Sequence, residues 1–214
     1  PDVSIAEITA QVGAAIAHGA GEVDGPIVIS GHSAGGHLVT AMMCKDTPLP
    51  EPVQARLAHV VSISGVHDLR PMLRTERNAA LQLDMASAEA NSPVLKRPLT
   101  HVRLTTWVGG GERQEFLRQS ALLSNIWHGL DCVTQDVVAP DRHHFNVIDA
   151  IAEPDGPVDQ FIRLDLQPLK PHAAVMQRVA DFMGDGGRSP AQRRILLFRG
   201  QPALKLPHLV QPGA

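Results

Sequence analysis

Cysteine is nearly absent from this chain, which carries only Cys44 and Cys132 among 214 residues. A disulfide framework and a cysteine-built zinc site are therefore excluded, and a reducing compartment is the natural setting. No apolar run is long enough to span a bilayer. The opening PDVSIAEITA has neither the basic start nor the apolar stretch of a signal peptide. A cytoplasmic location is the expectation, although the chain begins at Pro1 and not at Met, so Pro1 is not expected to be the natural start. Charge of one sign is also lacking: the formal net charge is -3 and the pI about 6.4. Neither nucleic acid nor an anionic membrane surface is an expected partner. Aromatic residues are few, Trp107, Trp127 and five phenylalanines, and most are expected in the core. What is present is a 43% hydrophobic composition, enough to bury one core.

The hydrophobic pattern alternates between two periods. Ile5, Ile8, Val12, Ala15 and Ile16 fall near helical spacing, so roughly residues 3–17 read as an amphipathic helix. PIVIS is then a short β-branched run of the kind buried on both faces. HLVTAMMC reads as a helix, stopped by the prolines of TPLPEP. AHVVSISG (58–65), HVRLTTWVGG (strand over 101–108) and CVTQDVVAP read as three further strands. Residues 114–128 read as a helix, and HHFNVIDAIA as the opening of another. Segment 66–98 is polar and helical in places, and is placed over the site as a lid. Strand and helix in alternation predict an α/β fold with a mostly parallel sheet flanked by helices. Beyond about Pro154 the alternation fades. HAAVMQRVADFMGDGG reads there as a helix and RRILLFRG as a strand without an evident partner. Residues 1–157 form the expected core and 158–214 an irregular C-terminal extension.

Gly31 to Gly35, G-H-S-A-G, matches G-x-S-x-G, and its chemistry explains its spacing. A serine on a sharp strand-to-helix turn projects its hydroxyl above the sheet edge, and the glycines admit close backbone approach. The following helix aims its N-terminus at the site, so the Ala34 N–H is the expected oxyanion donor. Ser33 needs a base, and the base an acid to orient it. His144 follows the fourth strand and Glu112 the third, on the rim that carries Ser33. His143 competes for the base, and Glu115 and Asp141 for the acid. His32 and His37 are expected as lining residues, with His32 a candidate to touch substrate. There is no H-E-x-x-H and no G-x-G-x-x-G opening a helix, so neither metal nor nucleotide cofactor is expected.

The blocks ISGHSAGGHL, ISGVHDLRPML, NSPV, VGGGERQEFLRQS and RHHFNVIDAIA resemble the arylformamidase (kynurenine formamidase) branch of the α/β-hydrolases, close to the hormone-sensitive-lipase-like esterases. The likeness runs from about Pro1 to Pro157 and keeps the family's order and spacing. It implies hydrolysis of a small aryl formamide such as N-formylkynurenine, a step of tryptophan catabolism, or of a carboxylic ester. It carries the nucleophile onto Ser33, the acid onto Glu112, where the family often has Asp, and the base onto His144. The family's H-G-G motif, which completes the oxyanion hole, has no counterpart here. The resemblance thus implies an N-terminally truncated α/β-hydrolase lacking the strand that would flank PIVIS. Such an open edge invites self-association, so a homodimer is expected besides the small-molecule substrate. The alternatives are a general carboxylesterase, and a hydrolase-fold remnant or interaction domain too incomplete to turn over.

Overall fold

The structure, a computed structural model, describes residues 3–151. Helix α1 (Ile5–Gly21) starts at Ser4, whose hydroxyl accepts from the Glu7 N–H while the Glu7 carboxylate accepts from the Ser4 N–H at 2.7 Å. That reciprocal cap satisfies two donors that a helix start otherwise leaves open. The helix outruns its predicted end at residue 17, because Ala20 still buries against the core. Strand β1 (Ile27–His32) follows, and Ser33 joins it to α2 (Ala34–Ala41). A short helix α3 (Glu51–Gln54) leads into β2 (Leu57–Ile63).

Residues 66–98 are, as their polarity suggests, only locally helical. They hold a 3₁₀ turn at Arg70–Arg74, the short helices α4 (Asn78–Leu81) and α5 (Met85–Ala90), and a second 3₁₀ turn at Pro93–Leu95. Strand β3 (Arg103–Gly109), helix α6 (Gln114–His128) and strand β4 (Thr134–Ala139) complete the alternation. β3 begins two residues later than the pattern predicts, because Val102 closes a turn onto the Leu99 carbonyl. HHFNVIDAIA forms no α-helix among the described residues: a turn precedes a 3₁₀ segment, Val147–Ile151. The expected helix and strand beyond Pro154 lie outside the described residues.

The four strands form one sheet in the order β1-β2-β3-β4, every pairing parallel. Successive residues of β1 serve opposite faces. Ile27 and Ile29 join Ile16, Met42, Leu104, Leu123 and Trp127 on one side, while Val28 joins Val61, Ile63, Trp107 and Val147 on the other. β1 is buried along its whole length, although it is the last strand on its side of the described sheet. β4, at the opposite margin, is partly exposed. Parallel strands all end at one rim, which therefore collects Ser33, Ser64, Glu112 and His144.

Candidate active site

Ser33 is held at φ 55° and ψ -117°, a region that L side chains rarely adopt, between a buried strand and a helix start. Two glycines permit the turn. A Cβ on Gly31 would stand 2.2 Å from the Gly35 carbonyl oxygen, and one on Gly36 would stand 2.7 Å from Gly65 Cα. Neither clash is with a movable side-chain tip. Gly31→Ala is accordingly expected to cost about 1–3 kcal/mol of stability, and to displace Ser33 as the turn opens. A denaturant melt beside the native chain checks this, and an unchanged midpoint would show the turn to be far looser than drawn. Ser33 also donates its N–H to the Ile63 carbonyl at 2.8 Å, tying the turn to the end of β2. Ala34 is the first residue of α2 and directly follows Ser33, so its N–H has no partner within the helix.

The two expected partners converge on that hydroxyl. His144 Nε2 lies 3.1 Å from Ser33 Oγ, and His144 Nδ1 lies 2.7 Å from Glu112 Oε2. Glu112 is 8% exposed, yet its carboxyl is held below the ordinary value. Burial alone would raise it; hydrogen bonds from His144, the Ser64 hydroxyl and the Gly109 N–H outweigh that effect. An ionised Glu112 can only accept, so Nδ1 of neutral His144 carries the proton and Nε2 is left as the acceptor facing Ser33. That is the tautomer a base needs.

The competing residues are engaged elsewhere. Glu115 accepts from Arg118 at 2.7 Å and from the Gln119 amide at 2.7 Å. Asp141 sits at φ 57° in the turn before His144, and His143 Nδ1 accepts the Phe145 N–H at 3.2 Å. His37 is buried and donates Nδ1–H to the Val66 carbonyl at 2.8 Å, so it packs behind the turn and does not line an opening. His32 is 5% exposed, and its Nε2–H donates to the His144 carbonyl at 2.8 Å. Its ring stands 4.7 Å from the His144 ring. The residue preceding the serine thereby anchors the main chain of His144. Phe116 covers another side of the His144 ring, centroid to centroid 4.4 Å.

Three further residues, to which the sequence pattern assigns no role, support this arrangement. Ser64, at φ 49°, donates its hydroxyl to Glu112 Oε1. The Gly109 N–H donates to the same oxygen at 2.9 Å. Gln119 Oε1 accepts from the N–H groups of His67 and Asp68, at 2.8 and 2.7 Å, and pins the start of the 66–98 segment to α6. A serine at a strand end, directly before Gly65, is the one signal that could have pointed to Ser64. Among the described residues no three His, Cys, Asp or Glu side chains gather as metal ligands, and no helix is long and apolar enough to cross a membrane.

The same architecture recurs in solved structures. A candidate thioesterase from Silicibacter sp. tm1040 superposes with a TM-score of 0.70 and 44% identity, covering 76% of this chain and 60% of that one. Thermogutta terrifontis esterase 2, phosphoramylated by tabun, superposes with a TM-score of 0.58 and 16% identity over 79% of this chain and 67% of its own, a likeness of fold. The chain has, in part, the fold of the α/β-hydrolases. In sequence it is similar to kynurenine formamidases, at 30% identity over 146 residues with that of Salmo salar and 28% over 134 residues with that of Danio rerio. These matches cover 64% and 59% of this chain and 48% and 45% of the relatives. The chain thus spans about half the length of the curated relatives it matches. No family model matches it.

Proposed function

We propose that this α/β-hydrolase cleaves small aryl formamides, of the N-formylkynurenine type, through an acyl-enzyme formed on Ser33. The observation that carries the reading is the continuous relay from Ser33 Oγ through His144 to Glu112, at 3.1 and 2.7 Å. The relatives named kynurenine formamidase support the substrate class.

His144 Nε2 takes the Ser33 proton as Oγ attacks the formyl carbon. The resulting oxyanion faces the N-terminus of α2, where the Ala34 N–H is the donor in reach. Charge on the imidazolium is balanced by Glu112, already ionised. His144 then gives its proton to the departing nitrogen, the C–N bond breaks, and a formyl ester remains on Ser33. Water, deprotonated by His144, attacks that ester; formate leaves, and Ser33 recovers its proton.

The similarity to the candidate thioesterase favours a second reading with the same acyl-enzyme, in which the leaving group is a thiolate or alcohol. A fluorophosphonate probe tests the shared step. The native chain is expected to label and Ser33→Ala to stay unlabelled; a native chain that does not label would sink both readings. Formanilide against an aryl thioformate then separates the two, since only the first reading predicts turnover of the amide.

A further inference from the structure

Formyl is the smallest acyl group, so a formamidase finds almost nothing to bind on the acyl side. Its discrimination must come from contacts to the leaving group. The leaving nitrogen takes its proton from His144 Nε2, which places that group against the residues flanking His144.

Two phenylalanines flank it, and they differ in kind. Phe116 is half-buried and stacks on the imidazole at 34°, so its face toward the base is occupied. Phe145 is 65% exposed, the most exposed large hydrophobic residue among those described. Its main chain is nevertheless held, and its ring leans on a neighbour. The Phe145 N–H donates to His143 Nδ1 at 3.2 Å, and its ring meets His144 edge-on, 5.5 Å between centroids at 85°. The neighbouring His143 ring stands 6.3 Å away at 63°. An aromatic ring kept in water beside the proton donor, with its backbone pinned, is a platform on which a second ring can lie.

We infer that Phe145 is a specificity-determining residue of this site, stacking against the aryl part of the leaving group. The inference rests on the formamidase reading of Ser33 and His144. It places the preference for aryl over alkyl substrates on one side chain.

The test compares two formyl esters with the same acyl group, phenyl formate and ethyl formate, in the native chain and in Phe145→Ala. The ratio of their kcat/KM values is expected to fall about three- to tenfold in the variant, through KM for the phenyl ester. Phe145→Tyr is expected to restore the ratio and Phe145→Leu to leave it low, separating ring stacking from bulk. An unchanged ratio in Phe145→Ala, or equal rescue by Leu, overturns the inference while Ser33-dependent probe labelling of the native chain leaves the parent reading standing. A native chain without that label overturns both.

Discussion

Lowering the pH from 7.5 to 5 is expected to remove about 6 kcal/mol of folding stability, enough to unfold a domain of ordinary stability. Three histidines among the described residues are responsible. His37 and His67 lie behind the Ser33 turn and His59 lies on β2, each buried. Burial pushes His37 and His59 down to about 4 and His67 to about 3, with the nearby Lys96, Arg103 and His37 respectively adding to it. In the unfolded chain each recovers an ordinary value near 6.5. Because the folded state holds fewer protons, this stability is present in full above about pH 6.5 and is lost as the pH falls toward the folded values. At pH 5 each histidine contributes a loss of about 2 kcal/mol. Carboxylates cannot produce the same onset: Asp68 and Glu112 are held below the usual carboxylate range, and their contribution is lost only below about pH 5. Urea melts at pH 7.5, 6 and 5 read the slope directly. His59→Gln, whose amide can keep the bond to the Thr105 hydroxyl, is expected to remove about a third of it. Stability that stays flat down to pH 5 would mean that these rings are reached by water.

The four strands are legible in the sequence because a strand buried on both faces is an apolar run a few residues long between turn residues, and PIVIS and HVVSIS stand out as such. Ser33 is legible because the turn's geometry demands glycines at set offsets from it. Which carboxylate pairs with His144 is not, since Glu112 and Glu115 are three residues apart in a glycine-to-helix junction and either could face the rim. Only the side-chain partners separate them: Arg118 and Gln119 hold Glu115, while His144, Ser64 and Gly109 hold Glu112. Those contacts span up to 48 positions of chain and follow no period. The same is true of the bond from His32 to the His144 carbonyl, 112 residues away. It turns a residue read as a pocket lining into an anchor for His144. The helix expected from HHFNVIDAIA fails for a related reason, because its first residues are committed to local side-chain bonds, His143 with Asn146 and Phe145, that compete with helical ones.

That crowded environment of Glu112 makes Glu112→Gln more damaging than its near-identical shape suggests. Glu112 offers two acceptor oxygens: Oε1 takes the Ser64 hydroxyl and the Gly109 N–H, and Oε2 takes His144 Nδ1–H. Glutamine has one acceptor oxygen and one donor group to fill these two places. If its NH₂ faced Gly109, two N–H donors would point at each other, and a backbone N–H cannot turn away. The amide oxygen therefore stays with Gly109 and Ser64, and the NH₂ faces His144. Nδ1 must then accept, the ring proton moves to Nε2, and the base faces Ser33 in the form that cannot take its proton. The substitution also deletes the charge that balances the imidazolium. We expect kcat for a formyl substrate to fall by about 10⁴, with KM little changed. His144→Ala, which removes the base outright, is expected to cost about 10⁴–10⁶. Combining the two should cost no more than His144→Ala alone, since the acid acts only through the base. Steady-state kinetics on the three variants decide the matter. If Glu112→Gln kept kcat within tenfold of the native value, the acid would have to be sought elsewhere on the rim, and the orientation of His144 would rest on its His32 and Phe116 contacts instead.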